Sequence, residues 1–70
     1  MKDGNEPGYE VGQAGASWET DDAVQFAVDG VGVMWIPKSQ IHDDSEVWKR
    51  GQEPGMLVVT QWLAERKGWI

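Results

Sequence analysis

The sequence predicts an α+β domain that is mostly β: a small bent antiparallel sheet, or SH3-like partial barrel, of three to four strands with one short C-terminal helix. Three observations predict it. Residues 23–28 alternate apolar side chains with a period of two and run into Asp29-Gly30. Trp35-Ile36-Pro37-Lys38-Ser39-Gln40-Ile41 reads as a strand entering a bend that proline enforces. Residues 60–69 carry the start and stop signals of a short helix.

The first strand places Val24, Phe26 and Val28 on one face and Ala23, Gln25 and Ala27 on the other, the pattern of a half-buried strand. Asp-Gly between apolar runs is a strong hairpin signal, because a type I′ turn needs positive φ at both central residues. A two-residue turn pairs Val28 with Val31, Phe26 with Val33 and Val24 with Trp35; a longer loop through Gly32 shifts that register. The second strand, residues 31–36, also carries Met34 and Ile36 on its opposite face, which suits a central strand. Pro37 has no N–H and stops the ladder. Lys38-Ser39-Gln40 makes a tight turn, and Ile41 returns to the core.

His42-Asp43-Asp44-Ser45-Glu46 is a polar loop, and Val47-Trp48 is apolar again. Residues 49–55 are rich in turn formers, and residues 56–59 form a continuous apolar run of strand type. Thr60 is a good N-cap for a helix over residues 61–67. Arg66 and Lys67 sit in its last turn, where cations suit the dipole. Gly68 fits the left-handed position beyond the end, and Trp69 the apolar contact that follows. A helix this short is stable only when packed on the sheet.

Residues 1–22 hold four glycines and Pro7 with scattered apolar groups, and read as a flexible, acidic, glycine-rich tail. The folded unit is then residues 23–70, a size at which a core is marginal without a staple. The chain has no cysteine, so no disulfide supplies one. The five tryptophans and self-association are the remaining means. Trp35 and Trp62 stand in the most periodic contexts and are expected inside, and Trp18 is expected to cap the core. On this reading Trp35→Ala costs about 3–5 kcal/mol, and removing residues 1–17 leaves stability unchanged.

The net charge is −6, with six acids against one lysine in residues 1–22 and six acids against five bases beyond. Such a chain repels nucleic-acid phosphates and attracts basic protein surfaces. No membrane span or signal-peptide pattern is present, which implies a cytoplasmic protein.

Asp29-Gly30, Trp35-Ile36-Pro37-Lys38-Ser39-Gln40-Ile41 and the run from Leu57 through Gly68 together resemble a group of small phage and prophage proteins. These carry an Ile-Asp-Gly hairpin, a WIPKSQI strand-turn, an acidic DDSEV loop and a WLAEKKGLI-type ending. The resemblance covers residues 23–70 and implies a phage origin and a host-cell cytoplasm, with no activity to transfer. Val31-Gly32-Val33 is more apolar than that pattern, and Trp69 replaces its leucine.

Catalytic chemistry has little to stand on. His42 is the single histidine, and no serine has a nucleophile elbow or a neighbouring base. Asp43, Asp44, Glu46 and His42 match no EF-hand spacing, and the acidic loop reads as solvated. No enzyme activity, cofactor, catalytic residue or metal ligand is therefore expected. Trp48-Lys49-Arg50 and the Trp62, Arg66, Lys67, Trp69 group are of the aromatic-plus-basic kind that stacks bases. The leading expectation is a non-enzymatic binding module that inhibits a host protein, in the style of an anti-CRISPR or anti-restriction protein. Its partner presents a basic or functional surface, and a homodimer is possible. Trp48 is the anchor, with Asp43, Asp44 and Glu46 as polar rim. The alternative is an accessory single-stranded nucleic-acid-binding factor in phage recombination or replication.

Overall fold

The computed structural model describes residues 7–70. Four strands form one open antiparallel sheet: β1 (Gly8–Glu19), β2 (Ala23–Val28), β3 (Gly32–Pro37) and β4 (Gly55–Thr60). Their order is β3-β2-β1-β4, and a short helix, α1 (Gln61–Arg66), follows β4 and packs against β4 and β1. The fold is the expected mostly-β α+β class, built as an open sheet.

The largest departure from expectation is β1. Residues 8–19 were expected in a flexible tail, yet they are the longest strand and pair with β2 on one side and β4 on the other. The glycines and alanines are what make this possible. Gly12 lies opposite Leu57, Ala14 opposite Val28 and Ala16 opposite Phe26, so small side chains on the central strand leave room for large ones beside it. The register shifts between Glu10 and Gly12 and again between Ala16 and Trp18. Each bulge breaks the period of two that would have announced a strand. Residues 20–22 of the expected tail connect β1 to β2, and residues 1–6 lie outside the described residues.

Thr20 closes the turn into β2: its N–H donates to the Ala23 carbonyl at 2.8 Å, and its hydroxyl accepts from the Ala23 N–H at 3.1 Å. The next hairpin has the longer loop. Val28 pairs with Gly32, Phe26 with Met34 and Val24 with Ile36, one residue out of the two-residue-turn register. The cause is backbone geometry. Gly30 has φ 76° but Asp29 has no positive φ, so the type I′ turn does not form. The Val31 N–H instead bonds the Val28 carbonyl at 3.1 Å, and Gly32, with φ 118°, starts the strand.

A one-residue slip reverses the faces of a strand. Met34 and Ile36 therefore turn to the core, while Val33 and Trp35 turn outward. Trp35 pairs with Gln25, not Val24, and is 42% exposed. The expectation that Trp35 is a core anchor is thus corrected. Trp62 (54%) and Trp18 (50%) are also half exposed, against the expectations of burial and capping. The core is aliphatic with one aromatic: Val24, Phe26, Ile36, Val47, Leu57, Val59, Leu63 and Ala64, with Ala14 and Val28. Trp69 joins its margin, stacked on Tyr9 with ring centroids 5.8 Å apart.

Helix α1 follows its sequence signals closely. The Thr60 hydroxyl accepts from the Leu63 N–H at 3.2 Å. Gly68 takes φ 80°, its N–H bonds the Glu65 carbonyl, and the Trp69 N–H bonds the Ala64 carbonyl. These two bonds are a Schellman stop, which brings Trp69 back onto the sheet. Among the described residues no helix is long and apolar enough to cross a membrane.

The fold orders three substitutions. Phe26→Ala costs about 3–5 kcal/mol, as for any fully buried large aromatic. Trp35→Ala costs about 1 kcal/mol, as suits a half-exposed side chain outside the core. Deleting residues 1–19 removes the middle of the sheet and abolishes cooperative unfolding. Urea denaturation followed by circular dichroism measures all three.

Candidate functional site

The chain from Ile41 to Val47 runs along the outer edge of β4. Ile41 bridges Val59, and the His42 N–H donates to the Val58 carbonyl at 2.9 Å. The Ser45 hydroxyl accepts from the Val58 N–H at 3.0 Å and donates to the Val47 carbonyl at 2.7 Å. Glu46 accepts from the Met56 N–H through its carboxylate and donates its own N–H to the Met56 carbonyl, both at 2.9 Å. Buried Val47 pins the segment to the core. Gly8 allows β1 to lie close: a Cβ there would stand 2.6 Å from the Val58 side chain and 3.0 Å from the His42 ring.

His42 is buried, and its Nδ1 accepts from the Asp44 N–H at 3.0 Å. The Asp44 carboxylate lies 3.7 Å from the same nitrogen. His42 acts as a structural acceptor that shapes the acidic loop.

The four residues expected at a binding site divide two and two. Trp48, 51% exposed, lines a cleft of about 460 Å³ with Asp43, Ile41, Lys49 and the Glu19–Lys38 pair. Asp44 and Glu46 line a separate hollow of about 370 Å³, with Glu10 and Gln13. The structure therefore brings Asp43 to Trp48 and keeps Asp44 and Glu46 elsewhere. Glu46 is committed to the β4 edge, which its sequence position in a polar loop did not reveal.

Glu19 organises the cleft. Its carboxylate takes Lys38 Nζ at 2.7 Å on one oxygen and the Arg50 N–H at 3.1 Å on the other. The Lys38 hydrogen bond, then the Arg50 N–H, hold its carboxyl below the usual carboxylate range. Glu19 thus ties the end of β1 to the turn after β3 and to the loop after Trp48. Residues 19, 38 and 50 are far apart in sequence, and no spacing announced them.

Beside this clasp lies an aromatic surface. Trp18 of β1 pairs with Gln25 of β2, which pairs with Trp35 of β3, so the three side chains form a row across the outer face of the sheet. The Arg50 guanidinium sits 4.3 Å from the Trp18 ring centroid. Arg66 stands over Trp62 in the same way at 5.0 Å, on the helix. A cation over an exposed ring contributes about 0.5–1 kcal/mol. Among the described residues, no group of three or more His, Asp and Glu side chains is placed to hold a metal ion.

The fold and surface define a small, mostly-β α+β domain with a tryptophan-bearing outer face. No protein family, curated protein or solved structure matches the chain.

Two substitutions test this architecture. Ser45→Ala strips the Val58 N–H of its buried acceptor and costs about 1–3 kcal/mol in urea unfolding. Glu19→Gln tests the clasp through pH. The folded value of Glu19 is depressed, so its contribution is present above the ordinary value of 4.5 and lost as pH falls through the folded value. The wild type should unfold at higher urea than Glu19→Gln at pH 7, and the gap should close toward pH 3. The gap is modest, because the Glu19 side chain is 31% exposed and solvent screens the pair. A gap that does not change with pH would remove Glu19 as the clasp.

Proposed function

We propose that this chain is a non-enzymatic protein-binding module, an acidic protein of phage or mobile-element type that occupies a functional surface of a host protein. Inhibition of the anti-CRISPR or anti-restriction kind is the activity this implies. The observation that carries the binding reading is the set of half-exposed tryptophans, Trp18, Trp35 and Trp48, on the outer face and at the Glu19 clasp. Large aromatic surface left in water beside charged groups is the composition of a protein-binding hot spot. The net charge of −6 favours a basic partner and steers its approach. The phage origin and the host target rest on the resemblance of residues 23–70 to small phage proteins.

The second reading, single-stranded nucleic acid, has one observation in its favour: Arg50 over Trp18 and Arg66 over Trp62. Base stacking on those rings would have to overcome the repulsion of an acidic chain.

The test is capture from a host lysate, read by mass spectrometry with the wild type and three variants. Trp48→Ala and Asp43→Ala share a cleft and should both weaken capture, with circular dichroism and melting temperature near wild type. Asp44→Ala lies in the other hollow and should change capture little. Equal losses from Asp43→Ala and Asp44→Ala would remove the cleft as the contact. Salt-sensitive binding to labelled single-stranded DNA, lost in Trp18→Ala, would establish the second reading in its place.

A further inference from the structure

The two edges of the sheet are treated differently. On β4 the groups that point outward belong to Met56 and Val58. All four are bonded: to Glu46 twice, to Ser45 and to His42. The segment from Ile41 to Val47 seals that edge. The other edge is β3. Lys38 donates its N–H to the Asp22 carbonyl at 2.8 Å, which fixes the alternation. Gly32, Met34 and Ile36 direct their backbone groups to β2, and Val33 and Trp35 direct theirs away. Among the described residues no strand or side chain takes those two N–H and two carbonyl groups. Nor does β3 carry the devices that guard an edge: Gly32-Val33-Met34-Trp35-Ile36 has no charge and no proline before Pro37.

We propose that β3 is a self-pairing edge, on which two copies of this chain join antiparallel about a twofold axis at Met34 and form one continuous sheet. Three features select a second copy as the occupant. First, the register closes on itself. With Met34 opposite Met34, Val33 of each copy faces Trp35 of the other, and every outward group of these residues finds a partner. Pro37, with no N–H to give, falls just outside the ladder. A twofold axis at Trp35 would instead set Val33 against Pro37 and leave the Val33 carbonyl unmatched. Registers with an odd offset would oppose core-facing and outward residues.

Second, the ends are complementary. Asp29 precedes β3 and Lys38 follows it, so antiparallel pairing brings the acidic end of one copy toward the basic end of the other. Third, the side chains suit the contact. Val33, 64% exposed, gains the half-exposed Trp35 ring as a cross-strand neighbour, twice by symmetry. The chain has no disulfide to stabilise its small core, and self-association is a remaining way to do so. The proposal does not rest on host-protein binding, although both use Trp35: it follows from the edge of β3, and joins two outer faces into one.

The experiment is sedimentation velocity of the full chain at pH 7, from low micromolar to on the order of 500 µM, where a weak dimer populates by mass action. The wild type should approach twice the 7.8 kDa chain mass. Val33→Glu and Trp35→Lys each alter an exposed side chain without touching a bond to β2. Each alone should remain at the mass of one chain at every concentration, with a wild-type circular dichroism spectrum. Mixed in equal amounts they should recover the dimer, because the lysine of one meets the glutamate of the other. Hydrogen exchange provides a readout that needs no variant: in the wild type, the Val33 and Trp35 amides should slow with rising concentration while loop amides do not. A wild type that stays single up to the highest concentration overturns the proposal. So does a dimer that survives Val33→Glu, or one whose Val33 and Trp35 amides exchange at a rate independent of concentration.

Discussion

Everything in this fold hangs on the central position of β1. It bonds to β2 along one side and to β4 along the other, so the β2–β3 hairpin and β4 are hydrogen-bonded into one sheet through it. A strand in this position has both edges satisfied and its inner face crowded. Here the crowding is relieved by composition: Gly12, Ala14 and Ala16 fill little space, and Leu57, Val28 and Phe26 fill it from the sides. The two bulges let one long strand serve neighbours whose registers would otherwise conflict.

The second organising device is the acidic loop. Its residues are polar by sequence, yet they work as backbone partners for β4. Ser45 and Glu46 supply bonds that a fifth strand would have supplied, His42 adds its own N–H, and its ring nitrogen accepts from the Asp44 N–H within the loop. The same loop then delivers Trp48 and Asp43 to the cleft that Glu19 and Lys38 complete. Structural satisfaction of one sheet edge and presentation of a surface are thus done by one segment. The acids it carries are not equivalent: Glu46 is bound to the sheet, while Asp43 is free to meet solvent or a partner.

The tryptophans illustrate how packing is shared in a small domain. The interior is filled by Phe26 and aliphatic side chains, and the large rings line the outside of the sheet, the cleft and the helix. Two of them carry an arginine on their faces, which partly shields them from water. A surface of this kind leaves large apolar area outside the core, and the proposed binding role rests on it.

Local chemistry was legible in the sequence wherever one or two residues suffice to dictate a conformation. Thr60 and Gly68 set both ends of α1, Pro37 ended β3, the alternation of Val24, Phe26 and Val28 marked β2, and the run before Thr60 marked β4. What sequence could not supply was anything decided by a partner distant in the chain. Glycine and alanine in β1 look like disorder until Leu57 and Phe26 are beside them. The face of Trp35 depended on one extra loop residue, because the strand period is two and a single step reverses it. The division of Asp43 from Asp44 and Glu46, and the joining of Glu19 to Lys38 and Arg50, depended on how the 41–54 connection crosses the sheet. The sequence by itself determined β2, β3, β4, the stop at Pro37 and helix α1, since those preferences are local, but not that residues 8–19 are a strand. Only the tertiary structure decided which strand is central, which side chains are inside and which residues share a site, since those are set by long-range pairing.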